Sequence, residues 1–421
     1  MLANIIDYGM DGMGIAKIDG KTYFVSNALI GETVELEILS DKGRYAFARA
    51  VKVVEPSKDR MTPPCPYFSE CGGCSIMHMR YPHQLKYKRL LVEKTLKKIL
   101  NIDLKVQDVV PSDQVQNYRN KISLSVRDGA LGFFRSSSKD LIEIDACLLA
   151  KDRINDLINE IKNYYLDKDD LKKIKNIVIR EIADQILIGV VAVCNIDLRE
   201  LYACLHSKFD RLGVYLIINT RKDSVVISGK VKHVAGLKQI SIENYDIKYK
   251  VDLVGFHQVN ENVQNKIYDE ILSYVDDQAS VINAFSGAGL LSAIISKKAK
   301  RVYGIEIVPA SHKSAQELKQ INKIENMTNI LGDFDTEFRR VADECSLLVL
   351  DPPKKGCGEH VMRQISHIKD IIYISCNPIS LAKDLQFLKN DYIIEKIIPF
   401  DMFPNTTNVE TLVKLKLKEE I

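Results

Sequence analysis

A chain of 421 residues exceeds what one hydrophobic core usually organises, so two or three domains are expected. Its 46% apolar and 27% charged content excludes a disordered or collagen-like chain, and no stretch approaches the roughly 18–20 continuous apolar residues of a membrane span. The net charge of +3 excludes little; the start, MLANIIDYGMDGMG, lacks a basic n-region, so a cytoplasmic protein without membrane attachment is expected.

Residues 1–57 alternate apolar and polar in short runs, ANIIDYG, GIAKI, KTYFVS, ETVELEIL and RYAFARAVKVVE, separated by turn glycines. Short strands at this spacing predict a small β-barrel of the OB-like kind, a shape that suits single-stranded nucleic acid. The segment DRMTPPCP breaks the pattern and marks a boundary.

Residues 58–250 open with Cys65, Cys71 and Cys74 in CPYFSECGGC, where Gly72 and Gly73 let the backbone fold around a ligand. Nine cysteines in a cytoplasmic chain do not suggest a disulfide framework. Soft thiolates choose zinc, copper(I) or an iron–sulfur cluster. Cys147, in EIDACLLA, is the better distant fourth ligand and His78 the weaker one; the ligand count leaves zinc and [4Fe–4S] open. A helix from about His83 to Leu100 follows, crowded with Lys86, Lys88, Arg89, Lys94, Lys97 and Lys98. It is either a footprint for phosphates or a solvated face. A hairpin is predicted around Asp128–Gly129, then the helix KDRINDLINEIKNYYLD and the strands IKNIVIREI, QILIGVVAVC, GVYLIINT and SVVISG, a central α/β domain.

Residues 251–421 change character. The apolar strands VINAF, RVYGIE, LLVL and IIYIS alternate with helical stretches, the pattern of a Rossmann-like, largely parallel sheet. Ligands bind such sheets at the carboxyl ends of their strands, and polar residues gather there. The first end runs into Ser286-Gly287-Ala288-Gly289, a loop that can pass close to a ligand. Glu306 ends the second and can accept both hydroxyls of a ribose, and Asp333 follows the third and can accept from an exocyclic amine. Asp351 ends the fourth, stiffened by Pro352 and Pro353, and Cys376 ends the fifth. A thiol there can attack an electrophilic ring carbon; the plainer alternative is a buried cysteine in a strand cap. The pattern fits S-adenosylmethionine or a dinucleotide, and the lack of a full GxGxxG favours the former.

These motifs together resemble the RNA uracil-5-methyltransferase family, in the iron–sulfur branch that modifies 23S ribosomal RNA. GKTYFVSNALIGE is similar to the family's TRAM domain, an RNA-binding accessory, and PSKDRMTPPCPYFSECGGCSIMHM to its cluster motif. The resemblance implies Cys65, Cys71, Cys74 and Cys147 as ligands of a [4Fe–4S] cluster. Within GFHQVN and NAFSGAG it implies Gln258, Phe285 and Gly287 as contacts of S-adenosylmethionine, with Glu306 on the ribose and Asp351 near cofactor and uracil. SCNP supplies the nucleophile Cys376, and DMFPNTTNVETLVKL the general base, Glu410. Asn408 stands where the family usually has histidine; amide and imidazole can both donate a hydrogen bond. The implied reaction is methylation of uracil C5, with RNA as partner and 23S ribosomal RNA as substrate. The alternatives are the T-loop of tRNA, which the barrel and cysteine motif argue against because that branch typically lacks both, or a non-catalytic RNA-binding protein.

Overall fold

The computed structural model describes residues 1–418, apart from 137, 167, 222 and 224. The N-terminal barrel is a six-stranded sheet whose central pairs are Thr33–Asp41 with Tyr45–Glu55, and Tyr45–Glu55 with Lys21–Ser26. Its closure comes from the first residues. Leu2–Asn4 pairs with Thr33–Asp41, and Asp7–Tyr8 pairs with Gly14–Ile18, so one segment covers both edges. Small residues, Ala16, Ala28, Ala46, Ala48 and Ala50, fill much of the interior.

The central sheet has seven strands, and the predicted hairpin turns through Asp128 and Gly129, both at positive φ. Gln185–Ala192 is buried at every position because both of its faces are covered. On one face lie the helices Asp152–Tyr165 and Arg199–His206. On the other lie the hairpin Ile240–Asn244/Ile247–Val251 and the first helix of the C-terminal sheet, Leu290–Ser296. The expected strand SVVISG does not form: Val225–Gly229 is irregular, and Ser224 lies outside the described residues. The Asn219 amide donates to the carbonyls of Val225 and Val226 at 2.8 and 2.9 Å, which folds the segment into a loop; the edge strand is Lys230–Gly236 instead.

The C-terminal sheet is parallel through Met327–Leu331, Arg301–Glu306, Ser280–Ala284, Leu347–Leu350 and Asp370–Ser375, in that spatial order. Glu410–Leu417 then joins antiparallel, with Tyr392–Phe400 at the edge. The strand order reverses between Ser280–Ala284 and Leu347–Leu350, the point where such sheets open a crevice.

The helix Tyr81–Leu100 buries Val92, Leu96 and Leu100 in the same core as Tyr373, Leu381 and Leu385 of the C-terminal sheet and its last helix. Its cations are correspondingly engaged. Lys88 is fully buried on Asp401 at 2.5 Å, and Arg89, Lys94 and Lys97 pair with Asp108, Asp7 and Asp103. Lys86 and Lys98 carry no ion pair among the described residues, so of the six cations two are free to meet phosphate or solvent. No described helix is long and apolar enough to cross a membrane.

Candidate active site

The glycine loop after Ser280–Ala284 takes its shape from Glu306. That carboxylate accepts the Gly287 N–H at 2.8 Å and the Val308 N–H at 2.6 Å, tying two adjacent strand ends together. Phe285 and Gly287 both adopt positive φ. Gly289 admits no side chain, because a Cβ there would lie 2.7 Å from Ala315 Cβ. The Phe285 ring leans on Phe334, with centroids 5.6 Å apart. Asp333 precedes that phenylalanine, exposed, and accepts the Asp335 N–H at 3.1 Å as a turn cap.

Asp351 and Cys376 follow neighbouring parallel strands, whose register pairs Leu350 with Tyr373. Across the antiparallel edge, Ser375 faces Thr411, so Cys376 and Glu410 are the next residues on facing strands. Burial raises the Asp351 carboxyl to about 6. Glu410, 5% exposed, is pushed well above the usual carboxylate range by burial and then by the Asp351 charge. Cys376 is half-buried, and burial, Glu410 and Asp351 all raise its thiol, with Lys354 opposing. The three groups form one electrostatic unit in which each proton lost makes the next harder to lose.

An open cleft runs between the glycine loop, the loop Asp252–Gln258 and the two carboxylates. Gln258, Phe285, Gly287, Asp351 and Glu410 line it; Cys376 lies beside the carboxylates and outside this lining. The central sheet fixes the near wall, since Asn120 donates to the Gln258 carbonyl at 3.0 Å and Arg180 to that of Gly255 at 2.6 Å. Gln264, Asn283 and Tyr268 are polar lining residues that the sequence motifs did not point to. Gln264 and Asn283 are 3% and 1% exposed, and Gln264 Oε1 and Asn283 Oδ1 accept no hydrogen bond. Tyr268 lies one helical turn beyond Gln264, its phenol raised by burial and by Asp351. The i, i+4 spacing of Gln264 and Tyr268 after GFHQVN was the available signal.

The loop Asp351–Gly358 is pinned by buried Asp384, which accepts from the N–H groups of Cys357 and Gly358 at 2.7 and 3.0 Å and from the Tyr373 hydroxyl at 2.5 Å. The terminal motif is pinned from the opposite side. Gln84 exchanges two hydrogen bonds with Asn405, accepting its N–H at 2.9 Å and donating to Oδ1 at 3.1 Å. The Asn405 carbonyl accepts from Ser75 and Ile76, the residues that follow Cys74. Asn408 is exposed, and its N–H donates to Thr406 Oγ1 at 3.3 Å.

Cys65, Cys71, Cys74 and Cys147 line one cavity together with Tyr67, Phe68, Arg119 and Lys121. Burial raises the thiols of Cys65, Cys71 and Cys74, with Cys74 reaching about 12, and each is raised further by Cys147. Arg119 Nε, buried at this cavity, has no hydrogen-bond partner. His78, the weaker ligand candidate, does not line the cavity: it packs on Phe68 with centroids 5.6 Å apart, and burial lowers its imidazole to about 4. No three of the described histidine, cysteine and acidic side chains converge on one metal-ion position.

Residues 80–418 match the family tRNA (Uracil-5-)-methyltransferase, and residues 4–51 match the TRAM domain. A protein named as an uncharacterized RNA methyltransferase of Clostridium acetobutylicum is 31% identical over 98% of this chain and 96% of its own length. One of the same description from Caldanaerobacter subterraneus is 32% identical over 97% and 96%. Among solved structures, the tRNA (uracil-54, C5)-methyltransferase of Pyrococcus abyssi in complex with S-adenosyl-L-homocysteine superposes with a TM-score of 0.79. That likeness covers 99% of this chain and all of the other at 24% identity, so the two share a fold from barrel to terminal strand. The expectation that the barrel argues against a tRNA substrate therefore fails, because a tRNA enzyme shares the fold over the whole chain. With its C-terminal sheet, its N-terminal TRAM domain and a match over residues 80–418, the chain belongs to the tRNA (uracil-5-)-methyltransferase family and is an RNA methyltransferase.

Proposed function

We propose that this protein methylates C5 of a uridine in 23S ribosomal RNA, using S-adenosylmethionine and a transient covalent bond from Cys376 to uracil C6. The observation that carries the reading is the placement of Cys376 and Glu410 on facing strands beside Asp351. Uracil C5 is too weak a nucleophile to take a methyl group unaided. Addition of the Cys376 thiolate at C6 moves the ring electrons to C5 and makes it one. S-adenosylmethionine, when bound, supplies the electrophilic methyl group. Glu410 then removes the C5 proton, and its raised affinity for protons suits a base. The released electrons expel Cys376 from C6, which restores the ring and the thiolate.

The cleft suits that cofactor. The unpaired acceptors Gln264 Oε1 and Asn283 Oδ1 match an ammonium group, and Gln258, Phe285, Gly287 and Asp351 would bind and orient the rest. Glu306 and Asp333 lie outside the cleft lining; Glu306 would meet the ribose beside the glycine loop, and Asp333, after the next strand, an exocyclic amine. The cysteine cavity suits a [4Fe–4S] cluster. Cys65, Cys71, Cys74 and Cys147 share a cavity, and the unpaired Arg119 donor matches an anionic group. Such a cluster would cross-link the Cys65–Cys74 loop to the central sheet. Residues 1–57 and 58–250 would hold the RNA, and 251–421 would carry the chemistry.

A second reading, a uridine in the T-loop of tRNA, is favoured by the whole-length likeness in fold to the Pyrococcus abyssi enzyme. The deciding experiment incubates unmodified 23S ribosomal RNA and tRNA transcripts with the protein and labelled S-adenosylmethionine, then maps 5-methyluridine by mass spectrometry of nuclease digests. Label in 23S fragments is expected; label confined to tRNA replaces the substrate, and no label in either, with cofactor bound, overturns the enzymatic assignment.

A further inference from the structure

The outer face of the barrel carries three aromatic rings that no core explains. Lys21–Ser26 and Tyr45–Glu55 run parallel, with Thr22 beside Tyr45 and Phe24 beside Phe47. Side chains alternate across a strand, so Tyr23, Val25, Ala46 and Ala48 are buried inside while Phe24, Tyr45 and Phe47 stand outside. Phe24 and Phe47 lie 5.6 Å apart with planes inclined by 32°, and Tyr45 meets both edge-on at 5.9 and 5.7 Å. Tyr45 is 41% exposed. Three large rings left on the outer face of a barrel whose interior holds several alanines run against what burial of apolar area favours.

The rings border a surface groove completed by Thr22, Arg44 and the turn Gly9–Asp11. Gly9 and Met10 of that turn also wall a second hollow, against Leu90, Lys94 and Lys98 of the helix Tyr81–Leu100. Arg44 and Lys98 are exposed and carry no ion pair among the described residues; Lys94 is paired with Asp7, and Asp11 is the acidic member of the lining. A shallow aromatic surface flanked by free cations is what unpaired nucleotides require. Ring faces stack on bases of any sequence, and cations follow the phosphates.

We propose that this face is a stacking subsite for an unpaired stretch of the RNA substrate, with bases on Phe24, Tyr45 and Phe47 and phosphates along Arg44 and Lys98. The inference rests on RNA being the substrate. It adds an anchor on the barrel that holds the strand while the target base leaves its stack. A duplex hides its base faces and gains nothing from the rings.

Fluorescence anisotropy tests this with the full-length protein, without S-adenosylmethionine, on a fluorescein-labelled oligouridine of about 12 nucleotides and a duplex of equal length. Phe24→Ala with Phe47→Ala weakens oligouridine binding at least about tenfold, whereas Phe24→Tyr with Phe47→Tyr binds as the parent does. Arg44→Ala lowers the salt slope of binding by about one. The duplex binds weakly and ignores the ring substitutions. The thermal midpoint of each variant confirms that the barrel is intact. Oligouridine binding by the alanine pair within about twofold of the parent overturns the subsite, as does an equal loss on the duplex. Because no methyl donor is present, loss of ring-dependent binding rejects the subsite alone. Ring-dependent binding without methylation of any RNA rejects the catalytic reading alone.

Discussion

Cys376, Glu410 and Asp351 hold more protons in the folded chain than their ordinary values imply, because each is desolvated and the two carboxyls repel. The methylation rate should therefore rise with pH through and above about 6, beyond the usual carboxylate range, as measured by kcat/KM against pH. The same shift is a stability statement. Asp351 has a folded value near 6 above an unfolded value of 3.8, so its contribution is favourable below the unfolded value and is lost as pH rises through the folded one. Asp351→Asn should raise unfolding free energy at pH 8 by about 1–3 kcal/mol, and the gain should vanish near pH 4, while methylation falls steeply. Urea denaturation at the two pH values checks it. Cys376→Ala should abolish both methylation and the covalent complex with RNA containing 5-fluorouridine; a surviving adduct would move the nucleophile elsewhere.

At the scale of elements, the helix Tyr81–Leu100 holds the terminal motif through one buried ion pair, Lys88 to Asp401, and through the Lys88 bond to the Phe403 carbonyl at 2.9 Å. Removing one partner leaves an uncompensated buried charge, whereas removing both does not. Lys88→Met should cost about 3–5 kcal/mol, and adding Asp401→Leu should recover most of it, as read from denaturation midpoints. The basic helix thus shows what charge counting misses. Lys88 is indistinguishable from Lys86 in the sequence, but the former faces a core and the latter solvent.

At the scale of the molecule, the cysteine cavity and the catalytic cleft are joined by a short path. Ser75 and Ile76 leave Cys74 and donate to the Asn405 carbonyl, five residues before Glu410. Loosening the cysteine loop should therefore disturb Glu410 while leaving the glycine-loop side of the cleft in place. Cys74→Ser should speed proteolysis within residues 58–80 and lower kcat about tenfold or more, with little change in cofactor affinity. Limited proteolysis and single-turnover kinetics check it; an unchanged kcat with a released loop would show that the two sites are independent.

Strand identity and order of chemistry along the chain were legible because apolar alternation and turn glycines act locally: the other barrel strands, the hairpin at Asp128–Gly129 and the parallel strands form where periodicity puts them, whereas ANIIDYG, one run in the sequence, divides into Leu2–Asn4 and Asp7–Tyr8 on opposite edges. SVVISG failed because one distant-facing amide, Asn219, took its carbonyls. The sequence by itself determined that Cys376, Asp351 and Glu306 end strands of one sheet. Only the tertiary structure decided that Glu410 faces Cys376, since that depends on the last strand entering antiparallel beside Asp370–Ser375. Only tertiary structure, too, put Gln264, Asn283 and Tyr268 in the cleft and the four cysteines around one cavity. The physical reason is common to these cases: hydrophobic patterning fixes which face of an element is buried, but which polar groups meet depends on how separate elements pack.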